Sequence, residues 1–447
     1  VFLIGANKYR RKEVEELTYN LTNWQKLRED RRLEIPEARS IPEAFLKLAD
    51  RNPNVIACAD PLAGILTYFD VKKRAFVLAD KIRKLPGKRI GVLLPASTTC
   101  NILILACQLA DKVPVMINWT VGGKHLDTVI EVSDIEAVLT SWAFLDNLEN
   151  IDISRIETML IMLEVLRTEI SFVEMIQATV KAYYSSKRLL NRKEFSHLKN
   201  SFYKEAVVLF TSGTEANPKG VPLTHGNLLD NQRAVLETVS LTANDILLAM
   251  LPPFHSFGLA ITGIMPFISG MKVVFYPNPT DSKRIAKACQ TWKPTIVCSA
   301  PTFLKNIMQA AEPGMLDSLR FIVSGAEKAS KELLQQLRKV CPKAHFYEGY
   351  GITECSPVLT LNTSDDTLEI RESGVGTPLP GVVLRIVDPE TLNPLSNSAV
   401  GLILAHGPNI FRGYLNKETK SPFIEFDGVR WYNTGDLGKL LDNGALI

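Results

Sequence analysis

The sequence predicts an α/β protein with two doubly wound sheet subdomains followed by a small β-barrel subdomain. Short β-branched apolar runs alternate with helix-length segments over most of the chain, and Gly- and hydroxyl-rich loops leave the ends of several of those runs. After Gly374 the texture changes to short alternating strands punctuated by Asp388-Pro389 and Asn393-Pro394. A chain of 447 residues with 46% apolar content suggests about three domain-sized units with ample cores. The expected divisions are 1–200, 201–372 and 373–447.

In the first unit, Ile90–Leu94, Val113–Ile117 and Ala137–Thr140 read as buried strands, with a helix over Thr98–Ala110. Residues 151–200 are helical in pattern and rich in charge, which predicts a surface excursion or connector. In the second unit, strands are expected near Val207–Phe210, Val273–Tyr276, Thr295–Cys298, Phe321–Val323 and His345–Tyr347. Helices between them argue a parallel sheet, whose ligands bind beyond the carboxyl ends of its strands. In the third, Val383–Val387 and Gly401–Ala405 read as strands of a barrel or sandwich.

Composition excludes several functions. Fifty-one basic and 48 acidic residues leave a net charge of +3, too slight for a nucleic-acid footprint. Seven cysteines, among them Cys58, Cys107, Cys298 and Cys355, show neither metal spacing nor a disulfide framework, and fit a reducing, cytoplasmic setting. Val1–Ala6 is too short for a signal sequence and reads as a cut or linker-derived end. Ile246–Met271 carries no Asp, Glu, Lys or Arg, yet Pro252, Pro253 and Pro266 would cost a spanning helix its backbone hydrogen bonds. Burial inside the protein, along an apolar pocket, is expected instead.

Leu209–Gly220 reads Leu-Phe-Thr-Ser-Gly-Thr-Glu-Ala-Asn-Pro-Lys-Gly after an apolar strand. Small residues let backbone N–H groups approach phosphate oxygens, and Lys219 adds a charge. Such a loop alone is more often a polar turn, and it fails the Walker pattern because Pro218 and Gly220 stand where glycine and a hydroxyl are needed. Two further motifs lie downstream, Glu348–Pro357 (Glu-Gly-Tyr-Gly-Ile-Thr-Glu-Cys-Ser-Pro) and Tyr432–Leu437 (Tyr-Asn-Thr-Gly-Asp-Leu).

Together these three motifs resemble the adenylate-forming superfamily, which includes acyl-CoA synthetases, peptide-synthetase adenylation domains and firefly luciferase. The resemblance is strong over 206–447 and weaker before it. It implies ATP and Mg²⁺, with Thr211, Ser212, Gly213, Thr214 and Lys219 holding the β- and γ-phosphates. It implies that Tyr350 packs on adenine, that Thr353 bonds the α-phosphate and that Glu354 coordinates the metal. Gly325, Ala326 and Gly349 would approach the adenine and the acyl carbonyl, and Asp436 would accept from both ribose hydroxyls. His255, in Leu-Pro-Pro-Phe-His-Ser-Phe-Gly, would sit beside the substrate carboxylate as an orienting or charge-compensating group. Phe254, Phe257, Leu259, Ile261 and Met265 would wall an acyl pocket or simply pack the sheet.

Leu251–Leu259, Val323–Lys328, Glu348–Pro357 and Gly407–Leu415 are similar to one subgroup, the acyl-acyl-carrier-protein synthetase half of bacterial 2-acylglycerophosphoethanolamine acyltransferase proteins. That implies a fatty acid substrate, acyl carrier protein as acceptor with coenzyme A the runner-up, and peripheral association with the inner face of a membrane. The separate acyltransferase of that subgroup carries His-x₄-Asp; His225 with Asp230 fits the spacing but reads as part of the adenylation fold. Glu215-Ala216 replaces the usual Thr-Gly, and Asn433 stands where many relatives carry Arg or Lys. The family's C-terminal lid does not appear before Ile447, so slow adenylation and almost no thioester formation are expected of residues 1–447. A non-catalytic nucleotide- or acyl-binding module is the alternative from another class.

Overall fold

The computed structural model describes residues 21–148, 152–211, 217–325, 327–363, 374–396, 398–416, 418–426 and 428–447. The sequence-predicted residues Ser212, Gly213, Thr214 and Ala326, together with Glu215 and Ala216, lie outside the described residues.

Nineteen strands are described: β1 (Ile56–Asp60), β2 (Gly64–Thr67), β3 (Arg89–Val92), β4 (Val113–Met116), β5 (Val138–Thr140), β6 (Leu160–Met162), β7 (Glu205–Thr211), β8 (Lys219–Thr224), β9 (Ile246–Ala249), β10 (Lys272–Phe275), β11 (Ile296–Ser299), β12 (Phe321–Ser324), β13 (His345–Gly351), β14 (Val358–Asn362), β15 (Thr377–Pro378), β16 (Val383–Val387), β17 (Gly401–His406), β18 (Phe423–Phe426) and β19 (Val429–Gly438). They form a nine-stranded sheet ordered β15-β14-β13-β12-β11-β9-β10-β1-β2, a six-stranded sheet ordered β6-β5-β3-β4-β7-β8 and a four-stranded sheet ordered β16-β17-β19-β18. The nine-stranded sheet is parallel at its centre with antiparallel strands at both edges, and the six-stranded sheet is parallel except for its edge strand β8. This is the expected α/β architecture.

Strand membership differs from expectation at one place. Val207–Phe210, expected in the second sheet, lies in β7 and pairs with β4 of the six-stranded sheet, while β1 and β2 from early in the chain join the nine-stranded one. A cut at residue 200 therefore does not separate the sheets. The physical reason is that apolar periodicity marks a strand as buried on both faces without saying which neighbour covers it. The predicted barrel takes the form of a four-stranded antiparallel sheet.

Helix Thr98–Leu109 contacts β4 of one sheet and β1 of the other, and it is buried on every face except at Thr99. That is why Asn-Ile-Leu-Ile-Leu-Ala-Cys reads as apolar without a polar stripe. Its N-cap Ser97 accepts from the Cys100 N–H, which fixes where it starts. Trp24 anchors the start of the described chain by donating its indole N–H to the Trp292 carbonyl at 2.9 Å.

Ile246–Met271 runs as β9, a loop, a π-helix over Phe257–Ile264 and a short helix over Met265–Ser269, and most of its side chains are buried. Among the described residues no helix is long and apolar enough to cross a membrane. All seven cysteines are buried and free.

Candidate active site

β9, β11, β12 and β13 run parallel, so the loops that follow β9, β12 and β13 emerge along one edge of the sheet. Those loops carry His255 and Ser256, Gly325, and Thr353 and Glu354. The Thr353 hydroxyl donates to the Ser256 hydroxyl at 3.3 Å, tying the first and last of them together. A Cβ placed on Gly325 would lie 3.5 Å from the Phe257 ring and 3.8 Å from the Gly349 carbonyl. The absence of a side chain there keeps a cradle open between the two loops. Ser299 and Ser324, register partners at the ends of β11 and β12, have buried hydroxyls without a hydrogen-bond partner. Cradle and orphan hydroxyls together suit a flat polar ligand.

Glu354 sits in a 3₁₀ turn over Thr353–Cys355 directly after β13. It is buried, and Tyr414 donates to its Oε1 at 2.9 Å. Burial raises the Glu354 pKa above the usual carboxylate range, opposed by the Tyr414 hydrogen bond and the nearby Lys219 charge. Tyr432 in turn hydrogen-bonds Tyr414. Lys219, at the start of β8 and paired in register with Thr211, lies 5.4 Å from the Tyr414 ring centre. The stem of the phosphate-loop motif thus reaches the Glu354 cluster through one tyrosine.

The third motif arrives from the four-stranded sheet. Asn433 accepts from the Gly435 N–H at 2.9 Å and Thr434 from the Asp436 N–H at 3.1 Å, while Gly435 has φ of +77°, a conformation that favours glycine. This turn presents the exposed Asp436, which accepts from the Tyr350 hydroxyl at 2.6 Å. Asn433 is here a turn-forming residue.

His255 keeps an exposed face, yet the protein around the rest of its ring draws its pKa below the ordinary value by desolvation. Desolvation thus favours the uncharged imidazole. The Phe254 ring centre lies 4.5 Å from that of His255 in a tilted contact and 4.4 Å from that of Trp119 in an edge-to-face one. His225 has no such setting: it is buried, its Nδ1 accepts from the Ile41 N–H at 3.2 Å, and burial lowers its pKa to about 3. It is a core residue, as its place after the phosphate-loop motif suggested.

Sequence reasoning assigned no role to Tyr414, Tyr432, Ser256 or Asn409, although Gly407–Leu415 had drawn attention as a motif. Asn409 is buried and donates to the Cys355 carbonyl at 2.8 Å, and its own carbonyl accepts from Ser356 at 2.8 Å. Asn227 holds the same segment through the carbonyls of Pro408 and Ile410, and Asn416 accepts from the Gly220 N–H at 2.8 Å. One segment, 407–416, therefore braces both Glu354 and the phosphate-loop stem. Asn409→Leu removes the donor to the Cys355 carbonyl and is expected to cost about 1–3 kcal/mol. Urea unfolding checks the cost, and reduced nucleotide-analogue affinity checks the bracing.

Three loops and a β-turn thus converge at strand ends, and the chain belongs to the AMP-binding enzyme family, whose profile matches residues 45–415. Among proteins it resembles is 4-coumarate-CoA ligase 1 of Narcissus pseudonarcissus, 31% identical over 247 residues, which is 53% of this chain and 45% of that protein. In that match the chain spans about half the length of its relative. 4-Coumarate–CoA ligase 4 of Arabidopsis thaliana is 26% identical over 427 residues, 92% of this chain and 73% of that protein. The fold matches a long-chain-fatty-acid-CoA ligase of Archaeoglobus fulgidus with a TM-score of 0.75 at 20% identity, covering 93% of this chain and 84% of that one.

Mg²⁺ fits the donor set. Among the described residues no group of three or more His, Cys, Asp or Glu side chains is arranged to hold a metal, but Mg²⁺ commonly takes one carboxylate plus substrate phosphates. Glu354, which accepts from Tyr414, offers one carboxylate for such an arrangement.

Proposed function

We propose that the chain activates a fatty acid with ATP to give acyl-AMP and pyrophosphate, then passes the acyl group to the thiol of acyl carrier protein. A cytoplasmic placement at the inner face of a membrane belongs to the same reading. The observation that carries it is the Tyr350–Asp436 contact beside the Thr353–Glu354 turn and the Lys219 stem.

In the first step a carboxylate oxygen attacks the α-phosphorus. The bond from that phosphorus to the bridging oxygen breaks, and pyrophosphate leaves with the electron pair. Two anions must meet, so Lys219, Thr211 and the residues 212–214 hold the terminal phosphates while Thr353 donates to the α-phosphate. Positioning of this kind is worth up to about 7–11 kcal/mol in well-oriented cases. Glu354 would hold Mg²⁺, which would neutralise charge on the phosphates when bound. Tyr350 with Gly325, Ala326 and Gly349 receives adenine, and Asp436 receives the ribose hydroxyls. His255 orients the substrate carboxylate or compensates its charge. In the second step the thiol sulfur attacks the acyl carbon, the carbon–oxygen bond to AMP breaks, and the thiol proton passes to solvent.

Coenzyme A as acceptor is the second reading, favoured by the names of the curated relatives, which are CoA ligases. Calorimetric titration with acyl-sulfamoyl adenosines from acetyl to palmitoyl tests the activation half. Affinity is expected to rise about tenfold for every two methylenes buried, to a long-chain optimum. No binding at any length would overturn the reading. Parallel thioester assays with holo-acyl carrier protein and coenzyme A then decide the acceptor.

A further inference from the structure

The helix over Phe172–Ala182 is turned inside out. A surface helix ordinarily packs its large apolar side chains inward, but here Ala178 and Ala182 are the buried positions. Two charged side chains hold it to the neighbouring helix Tyr68–Ile82 and the segment after it. Glu174 pairs with Lys81 at 3.0 Å, and Lys181 pairs with Asp80 at 2.8 Å and Glu194 at 3.1 Å. Phe172, Val173, Met175, Ile176, Val180 and the following Tyr183 are exposed, Phe172 by 72% and Tyr183 by 76%. Phe172, Val173, Ile176 and Val180 share one face by helical spacing. Among the described residues this is the densest run of exposed large apolar side chains.

What covers this face is indicated by charge. Lys187, Arg188, Arg192 and Lys193 follow the helix and are exposed, and Arg188 stacks 3.8 Å from the centre of the Tyr184 ring, next to Tyr183. Of the acids nearby, Glu174 and Glu194 are in the ion pairs above, Glu194 also lies 3.9 Å from Arg192, and Glu169 is exposed, so Lys187, Arg188 and Lys193 carry the rim's net positive charge. An apolar face with an adjoining cationic rim matches the boundary between acyl chains and anionic headgroups. We infer that the Phe172–Tyr183 face docks on an anionic phospholipid surface, with its apolar side chains in the acyl boundary and Lys187, Arg188, Arg192 and Lys193 at the headgroups. The inference deepens the membrane placement proposed above by naming the surface that makes it.

Flotation of the full chain with phosphatidylglycerol-containing vesicles, and with pure phosphatidylcholine vesicles, tests it without any nucleotide, so a failed ligase reading would leave its result standing. Binding to the anionic vesicles is expected, weakened by salt, with little on the neutral ones. The triple variant Phe172→Ser, Ile176→Ser, Val180→Ser is expected to bind at least tenfold more weakly with an unchanged melting temperature. Lys187→Glu with Lys193→Glu is expected to lose the preference for phosphatidylglycerol. Absence of binding by the unaltered chain at low salt, or unchanged binding by the triple variant, would overturn the inference. So would a dimer in sedimentation velocity that the triple variant converts to monomer, which would assign the face to a second copy.

Discussion

Glu354→Gln is expected to slow acyl-adenylate formation by about 10²–10³-fold, the usual loss when one preorganised electrostatic contact to the reacting group is removed. The substitution keeps volume and leaves an oxygen to accept from Tyr414, so the fold should survive it. Stability separates this role from a structural one. Burial raises the Glu354 pKa, so the folded state takes up its proton more readily than the unfolded chain does. The stability contributed by that proton is fully present below the unfolded pKa and is lost as pH rises through the raised folded value. At neutral pH the charged carboxylate is therefore a burden on the free protein, and Glu354→Gln should leave the melting temperature unchanged or higher. Activity runs the opposite way, because a protonated carboxyl is a poor metal ligand: kcat/KM, which reports the free enzyme, should fall as pH drops through the raised Glu354 pKa. Single-turnover assays and melting curves across pH check both. A variant with lower stability at neutral pH and undiminished chemistry would remove Glu354 from the metal role.

Gly258→Ala is expected to destabilise the protein by about 3 kcal/mol, the upper end for overpacked sites. A Cβ there would stand 2.2 Å from the Pro252 carbonyl oxygen and 2.8 Å from that of Leu251, and backbone cannot swing aside as a side chain can. The strain falls on the turn that carries His255 and Ser256, so the Thr353–Ser256 contact and the affinity for acyl-sulfamoyl adenosines should weaken together. Gly122→Ala, with open space around its Cβ and an ordinary φ of −74°, serves as the control and should change stability by no more than about 0.5 kcal/mol. Urea unfolding of the two variants gives the comparison.

Much of the fold was legible from local pattern. The strand read at Val383–Val387 has those bounds, Val113–Ile117 became β4, and the helix predicted over Thr98–Ala110 ends one residue earlier. These succeed because periodicity and capping act within a few residues. Residues 151–200 were legible as helical and charged, but nothing in their sequence told which face would turn outward. That depended on Lys81 and Asp80, some ninety to a hundred residues away.

The candidate site divides along the same line. The amino-acid sequence by itself determined the loop chemistry: Thr211 and Lys219 at the phosphate-loop stem, small Gly325 and Gly349, the Thr353–Glu354 turn, and the Gly435 turn that presents Asp436. Tertiary structure alone decided that β7 would leave its expected sheet for β4, that Tyr414 would reach Glu354 across 60 residues of chain, and that Asn409 would brace the turn across 54 residues of chain. Backbone conformation and loop composition are set by neighbours in sequence, whereas the burial of a carboxylate and the partner that orients it arise only when distant segments pack together and exclude water.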